Sequence, residues 1–243
     1  MNENEKNIED FISTVSHELR TPLTSIRGFS QTMLNSWDKL DDESKKKFLK
    51  IIEDQSNRLI NLVENMLSVT KLNSTRGNFI LKEISIKPVI ETVITVLKNQ
   101  YPDKIFEIQI KDSTPPILVD KDKFQQVMTN LIENAAKYSD TNSTITIKTD
   151  CHENRDFVSV KITNTGIEID SKDFEKIFTK FSRIDNPLTR KTEGSGLGLY
   201  ITKNLVEKMS GTINLESENN TTTFNVMLPI SNIERQAREK CNR

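Results

Sequence analysis

The stretch Ser16-His17-Glu18-Leu19-Arg20-Thr21-Pro22-Leu23, residues 16–23, decides how this chain is read. It sets an imidazole, an adjacent carboxylate and a hydroxyl on one amphipathic segment. His17 and Thr21 are four residues apart and share a helical face, with Glu18 beside the histidine. A neutral imidazole nitrogen is a nucleophile, and the carboxylate can take its proton as a bond to phosphorus forms. The same pair suits a surface histidine on a charged helix. This stretch alone does not choose.

Outward from it, Ile12, Val15, Leu19, Pro22, Ile26, Phe29 and Met33 recur in steps of three and four, the stripe of a helix packed as in a coiled coil. Pro22 removes a backbone donor, so a kink just after His17 is expected. A second stripe follows: Phe48, Ile51, Ile52, Gln55, Leu59, Leu62, Met66 and Val69, joined to the first by the polar residues 36–47. Two long helices with an apolar face each form a hairpin that cannot bury itself fully. Pairing with a second copy into a four-helix bundle solves this; packing of the hairpin on the rest of its own chain is the alternative.

The periodicity stops at residues 73–78 (NSTRGN), which reads as a linker. Beyond it the pattern is mixed. Helices are expected over 89–97, 122–138 and 199–209. Strands are expected over 105–110, over 144–149 and 157–163 around the polar turn 152–156, and over 212–216 with 223–228 as a closing hairpin. This order points to an antiparallel or mixed sheet with helices on one face. The tail, 231–243, is charged and expected to fray. The class is therefore α+β: a helical hairpin, then an α/β sandwich.

A chain of 243 residues allows one or two domains with a sizeable core. Lys and Arg total 34 against 35 for Asp and Glu, and the net charge of −1 argues against nucleic acid as a partner. Two cysteines, Cys151 and Cys241, give no disulfide framework or zinc spacing. No apolar run approaches the roughly 20 residues that span a bilayer, and the polar start is no signal peptide. The expectation is a cytoplasmic segment that does not itself touch the membrane.

Only seven glycines occur, yet three fall in Gly194-Ser195-Gly196-Leu197-Gly198, just ahead of a helix. Glycines let backbone N–H groups turn toward a ligand, and the helix N-terminus adds positive potential for phosphate. A tight turn uses the same residues. No strand leads directly into them, so neither a dinucleotide fingerprint nor a Walker loop fits. Upstream, Asn130, Asn134, Lys137 and Tyr138 share one face of a helix. A carboxamide oxygen suits Mg²⁺ and the lysine suits phosphate, although buried asparagines also serve as backbone partners. Phe174, Phe178 and Phe181 read as core at helical spacing. The polar stretch 182–193 after them has the length of a lid.

Taken together, these segments resemble the sensor histidine kinases of two-component signalling. SHELRTPL resembles the phosphoacceptor box, NLIENAAKYS the N box, FEKIFTKFSR the F box and GSGLGLYI a glycine box, in the family's order. The resemblance spans roughly residues 8–230. It implies a dimerisation and phosphotransfer hairpin over 1–76, a Bergerat-type ATP-binding domain over 77–230, and a polar tail over 231–243. By the same resemblance His17 accepts the γ-phosphoryl group of ATP and Glu18 takes its proton. Thr21 helps water attack the phosphorylated partner, a response-regulator receiver domain. Asn134 holds Mg²⁺, with Asn130, Lys137 and Tyr138 around the phosphates. Gly194, Ser195, Gly196, Leu197 and Gly198 cover the triphosphate. The matched boxes also bring Gly166, Ile169, Phe181 and Arg183 to the nucleotide. The family's members are dimers, mostly cytoplasmic portions of membrane-anchored sensors.

One box departs. The family's Asp-x-Gly-x-Gly is here Asn164-Thr165-Gly166-Ile167-Glu168. Asn164 keeps an acceptor for the adenine amino group, loses the charge and gains a donor. Glu168 stands where a glycine is usual, so a positive φ there would cost about 1 kcal/mol. The leading function is an ATP-dependent histidine autokinase. A phosphatase-biased or scaffolding relative, and an ATPase of the gyrase and chaperone type, are the competing readings.

Overall fold

A computed structural model describes residues 3–73, 79–151, 156–182 and 195–231, with side chains described from Ile12 onward. The polypeptide separates into two compact units, Met1–Asn73 and Ser74–Arg243. The first holds helices α1 (Glu3–Ser36) and α2 (Asp42–Asn73), joined through a 3₁₀ turn at Trp37–Lys39. The connection is thus shorter than the polar stretch 36–47, because helix α2 already begins at Asp42. Asp41 opens it by accepting from the Ser44 N–H at 2.7 Å. Helix α1 continues through Pro22, which is buried against the hairpin. Every member of the α2 stripe is buried or half-buried, and Phe29 meets Phe48 with ring centroids 5.1 Å apart. Yet only Met33, Leu62, Val69 and Leu72 among the large apolar side chains described in the hairpin are fully buried. Ile12, Leu23 and Leu34 on α1, and Leu49, Ile60, Val63 and Leu67 on α2, face outward.

The second unit runs β1 (Lys82–Ile84), α3 (Ile86–Gln100), β2 (Ile105–Gln109), β3 (Ile117–Val119), α4 (Lys121–Tyr138), β4 (Thr144–Cys151), β5 (Phe157–Thr165), α5 (Gly198–Lys208), β6 (Thr212–Glu218) and β7 (Thr221–Pro229). Five strands form one mixed sheet in the order β2-β4-β5-β7-β6, with only β2 and β4 parallel. Alternation sends Ile145 and Ile147, Val158, Val160 and Ile162, and Phe224, Val226 and Leu228 into the core. There they meet Phe124, Val127, Met128, Leu131 and Ile132 of α4 and Ile201, Leu205 and Val206 of α5. The outer face is polar: Thr163 and Thr223 bond across strands at 3.0 Å, and Asp150 lies between Lys148 and Lys161.

Several details depart from the sequence expectations. The three-residue strands β1 and β3 pair antiparallel as a separate ribbon, too short for period-two patterning to reveal. Strands β6 and β7 extend to Glu218 and Thr221 because Asn219 and Asn220 adopt φ of 52° and 58°, the left-handed pair of a tight hairpin turn. Phe174 follows the 3₁₀ turn Ser171–Asp173 and Phe178 ends the 3₁₀ turn Lys176–Phe178, so the two do not share one α-helix. Phe178 is buried edge-on against Phe224, with centroids 6.4 Å apart. Ser231, expected to begin a frayed tail, is buried instead: its N–H donates to the Pro116 carbonyl at 3.0 Å and its hydroxyl to Glu83. Of the expected linker 73–78, Asn73 still belongs to α2 and 74–78 lie outside the described residues, as do 152–155 of the turn 152–156, most of the lid and the tail beyond Ser231.

Candidate functional site

On α1, His17 and Thr21 are both exposed, and Glu18 between them is half-buried. Thr21 Oγ1 lies 3.4 Å from the His17 carbonyl, the back-bond a hydroxyl makes within a helix. Arg58 of α2 brings Nη2 to 3.6 Å from Glu18 Oε2, so the carboxylate next to His17 is tied to the opposite helix. A shallow groove lined by Ser16, Leu19, Arg20, Leu23, Thr24 and Arg27 runs along the same helix. His17, Glu18 and Thr21 thus lie within one turn of α1, with His17 and Thr21 open to solvent.

In the second unit, α4 is the strut on which the other predicted residues assemble. Asp120 caps its start, with Oδ1 accepting from the N–H groups of Asp122 and Lys123 and Oδ2 from Ile80. At its end, Lys104 sits almost buried and donates to the carbonyls of Ser139 and Asp140 at 3.4 and 2.7 Å. A cation there opposes the negative end of the helix dipole. Asn130, Asn134, Lys137 and Tyr138 emerge half-buried along one face, between fully buried neighbours.

Asn130 reaches α5: Nδ2 donates to the buried Thr202 hydroxyl at 2.7 Å, and its carboxamide fills the space a Cβ on Gly198 would need. Gly196 adopts φ of 66°, and a Cβ there would lie 2.7 Å from the carbonyl carbon of Phe181, itself at φ of 59°. Leu197 is buried, and its N–H lies 3.3 Å from Ser195 Oγ. Glycine at 196 is therefore demanded by positive φ and fixed backbone, whereas a side chain at 198 would have to displace the Asn130 carboxamide, and the helix that follows begins at Gly198. Gly194 and Arg183 lie outside the described residues.

Gly166 touches the far end of α4. It bridges to Ser139, and a Cβ would collide with the Tyr138 carbonyl oxygen and with Ser139 Cα at 2.8 Å. The Ile167 N–H points at the same Tyr138 carbonyl, at 3.3 Å. Glu168 is not among the residues with positive φ, so the expected backbone penalty does not arise. Its carboxylate accepts the Asn220 N–H at 3.1 Å and pins the loop to the β6–β7 turn. The Ile169 N–H donates to Ser217 Oγ at 2.9 Å. Asn164, only 4% exposed, lies between Ile145 and Thr222 on the core side of the sheet. Its carboxamide makes no hydrogen bond among the described residues, although no atom of it is sealed away without a partner.

This arrangement fits a nucleotide. The Asn164 amide is nearly buried without being sealed from solvent, so its oxygen and NH₂ can turn to a ligand. The glycine turn ahead of α5 offers backbone N–H groups without side-chain obstruction. Asn134 makes no side-chain hydrogen bond among the described residues, which leaves its oxygen for a cation. Among the described residues no group of three or more His, Cys, Asp or Glu is placed to hold a metal. A single carboxamide therefore suits Mg²⁺ as one ligand beside phosphate oxygens and water.

Sequence reasoning missed Asp120, Lys104, Thr202, Ser217 and Thr222. Only Thr222 left a trace: it falls in phase with Phe224, Val226 and Leu228, a polar side chain at an inward position. No described helix is long and apolar enough to cross a membrane.

Residues 7–75 match the family described as the His Kinase A (phospho-acceptor) domain. Residues 119–232 match the histidine kinase-, DNA gyrase B- and HSP90-like ATPase family. The chain is 33% identical over 222 residues to the sensor histidine kinase WalK of Bacillus subtilis, across 88% of this chain and 36% of that protein. It is 33% identical over 218 residues to the signal transduction histidine-protein kinase ArlS of Staphylococcus haemolyticus, across 89% of this chain and 48% of that one. The chain thus spans less than half the length of either relative. Among solved structures it resembles the histidine kinase ThkA in complex with the response regulator protein TrrA, with a TM-score of 0.74 at 25% identity, covering 94% of this chain and 64% of that one.

Proposed function

The chain belongs to the sensor histidine kinases of two-component signalling, and from that membership we propose that it is an ATP-dependent histidine autokinase acting through His17. A ring nitrogen of His17 attacks the γ-phosphorus of ATP: an N–P bond forms, the P–O bond to ADP breaks, and the imidazole proton passes to Glu18. Arg58 keeps the Glu18 carboxylate beside the phosphoacceptor helix. Asn164 meets the base edge, and the half-buried face of Asn130, Asn134, Lys137 and Tyr138 lines the phosphates. Ser195, Gly196, Leu197 and Gly198 cradle the triphosphate beside Gly166, Ile169 and Phe181, and the family resemblance assigns Gly194 and Arg183 to the nucleotide as well. Mg²⁺ on Asn134 would neutralise phosphate charge.

The observation that carries this reading is one chain bearing two complementary constructions. One is an exposed histidine next to a half-buried glutamate on a helix; the other is a glycine turn leading into a helix, in a unit that also holds the nearly buried carboxamide of Asn164. Incubation with γ-labelled ATP should give acid-labile, base-stable label. His17→Gln should abolish the label while nucleotide affinity stays within about twofold. Label retained on that variant would mean another acceptor.

The phosphoryl group then passes to an aspartate of a response-regulator receiver domain, the kind of partner present in the ThkA complex. The receiver aspartate would approach α1 from the side that exposes His17 and Thr21. The same helix also supports dephosphorylation, Thr21 orienting water toward the acyl phosphate. Thr21→Ala should therefore keep autophosphorylation but slow loss of phosphate from the regulator severalfold. Unchanged loss would reduce Thr21 to its back-bond with His17. Two copies pair through the outward apolar faces of α1 and α2, and the active species is a homodimer on the cytoplasmic side.

A further inference from the structure

We propose that Asn164 reads the base edge without choosing between adenine and guanine, so that this site takes GTP nearly as well as ATP. The inference rests on the reading above, in which the base meets Asn164. Its side chain is 4% exposed and makes no hydrogen bond among the described residues, so both its oxygen and its NH₂ remain for a ligand. The neighbouring hydroxyls are already committed. Thr222, directly across the strand pair, donates its one hydrogen to the Ile167 carbonyl at 3.3 Å. The contact between Ser217 Oγ and Thr222 Oγ1, at 2.9 Å, must then run from serine to threonine. Ser217 in turn accepts from the Ile169 N–H at 2.9 Å. Neither hydroxyl has a hydrogen left, so both can face a ligand only as acceptors. Glu168, the acid closest to Asn164 along the sequence, directs its carboxylate to the Asn220 N–H at 3.1 Å.

Adenine presents an N6–H donor beside the N1 acceptor, and guanine presents the O6 acceptor beside an N1–H donor. The two edges are mirror patterns. A carboxamide matches either one by a half-turn about its last torsion, which is soft and roughly two-fold. A carboxylate at the same place, with only acceptors around it, can meet the adenine amino group but sets two oxygens against O6. With an aspartate the site would discriminate; with Asn164 and the fixed hydroxyl chain it does not.

Equilibrium titration of the whole chain with ATP, GTP and inosine triphosphate, in buffer containing Mg²⁺, tests this. Inosine carries O6 and N1–H without the 2-amino group, so it isolates the edge in question. In the wild type the three dissociation constants should agree within about threefold. In Asn164→Asp the preference for ATP should widen to about tenfold or more. Wild-type inosine triphosphate or GTP more than tenfold weaker than ATP overturns the proposal, whether or not the variant folds. An equal ratio before and after the substitution does so too, while leaving the nucleotide site itself standing. No saturable binding of any of the three would instead sink the underlying reading, and the inference with it.

Discussion

At Gly166 a methyl group has nowhere to go. The atoms in its path are the Tyr138 carbonyl and Ser139 Cα, backbone at the end of α4, anchored by Lys104. At Gly198 the obstacle is the carboxamide of Asn130, the end of a side chain that can swing aside. The two glycines should respond differently. Gly166→Ala is expected to cost about 1–3 kcal/mol of stability, as overpacking against fixed atoms does. Gly198→Ala should leave the melting temperature close to wild type. It displaces Asn130 from Thr202, however, and so should weaken nucleotide binding severalfold. Thermal unfolding beside nucleotide titration separates the two. Equal losses of melting temperature would show that the Asn130 side chain cannot move.

Helix α4 is the element on which the nucleotide site depends. Its N-terminal donors are met by Asp120, which also fixes the chain entering β1 through the Ile80 N–H at 3.0 Å. Removing such a cap costs about 0.5–2 kcal/mol, and the third bond puts this one in the upper half. Asp120→Ala should lower the stability of the second unit by about 1–2 kcal/mol in denaturant titration, with nucleotide affinity falling as the helix frays. Asp120→Asn, which keeps an acceptor oxygen, should recover most of the loss. A variant that unfolds like wild type would show the cap to be redundant.

At the scale of the whole molecule, the hairpin is unfinished. Leu34 is 81% exposed, and Ile12, Leu23, Ile60, Val63 and Leu67 are each more than 40% exposed. Ile12, Leu23 and Leu34 fall eleven residues apart, about three helical turns, and so share one face. Contiguous apolar surface of this kind marks an interface. The double substitution Leu34→Glu with Ile60→Lys should therefore yield monomers in sedimentation velocity at micromolar concentration, where the wild type should sediment as a dimer. Wild-type protein that is monomeric at that concentration would remove the basis for the four-helix bundle.

Much of this was legible in the chain itself, wherever a local pattern carries the physics. Periods of three and four made α1 and α2 readable, because each helix buries one stripe. Alternation made β4, β5 and β7 readable, because each lies with one face on the core. The placing of His17 and Glu18 on α1, of Asn130 and Asn134 on one face of α4, and of the glycines ahead of α5 was legible for the same reason: it depends on near neighbours. Tertiary structure alone decided the rest. Nothing near Asn130 in sequence announces Thr202, and nothing near Glu168 announces Asn220, since each partner arrives from a distant element. The penalty expected at Glu168 depended on a positive φ, and the residue does not adopt one. The direction of the Thr222 hydroxyl, and with it what Asn164 can offer a base, follows from three strands and a loop converging. Local pattern specifies elements; which donors and acceptors remain unspent is settled only when those elements meet.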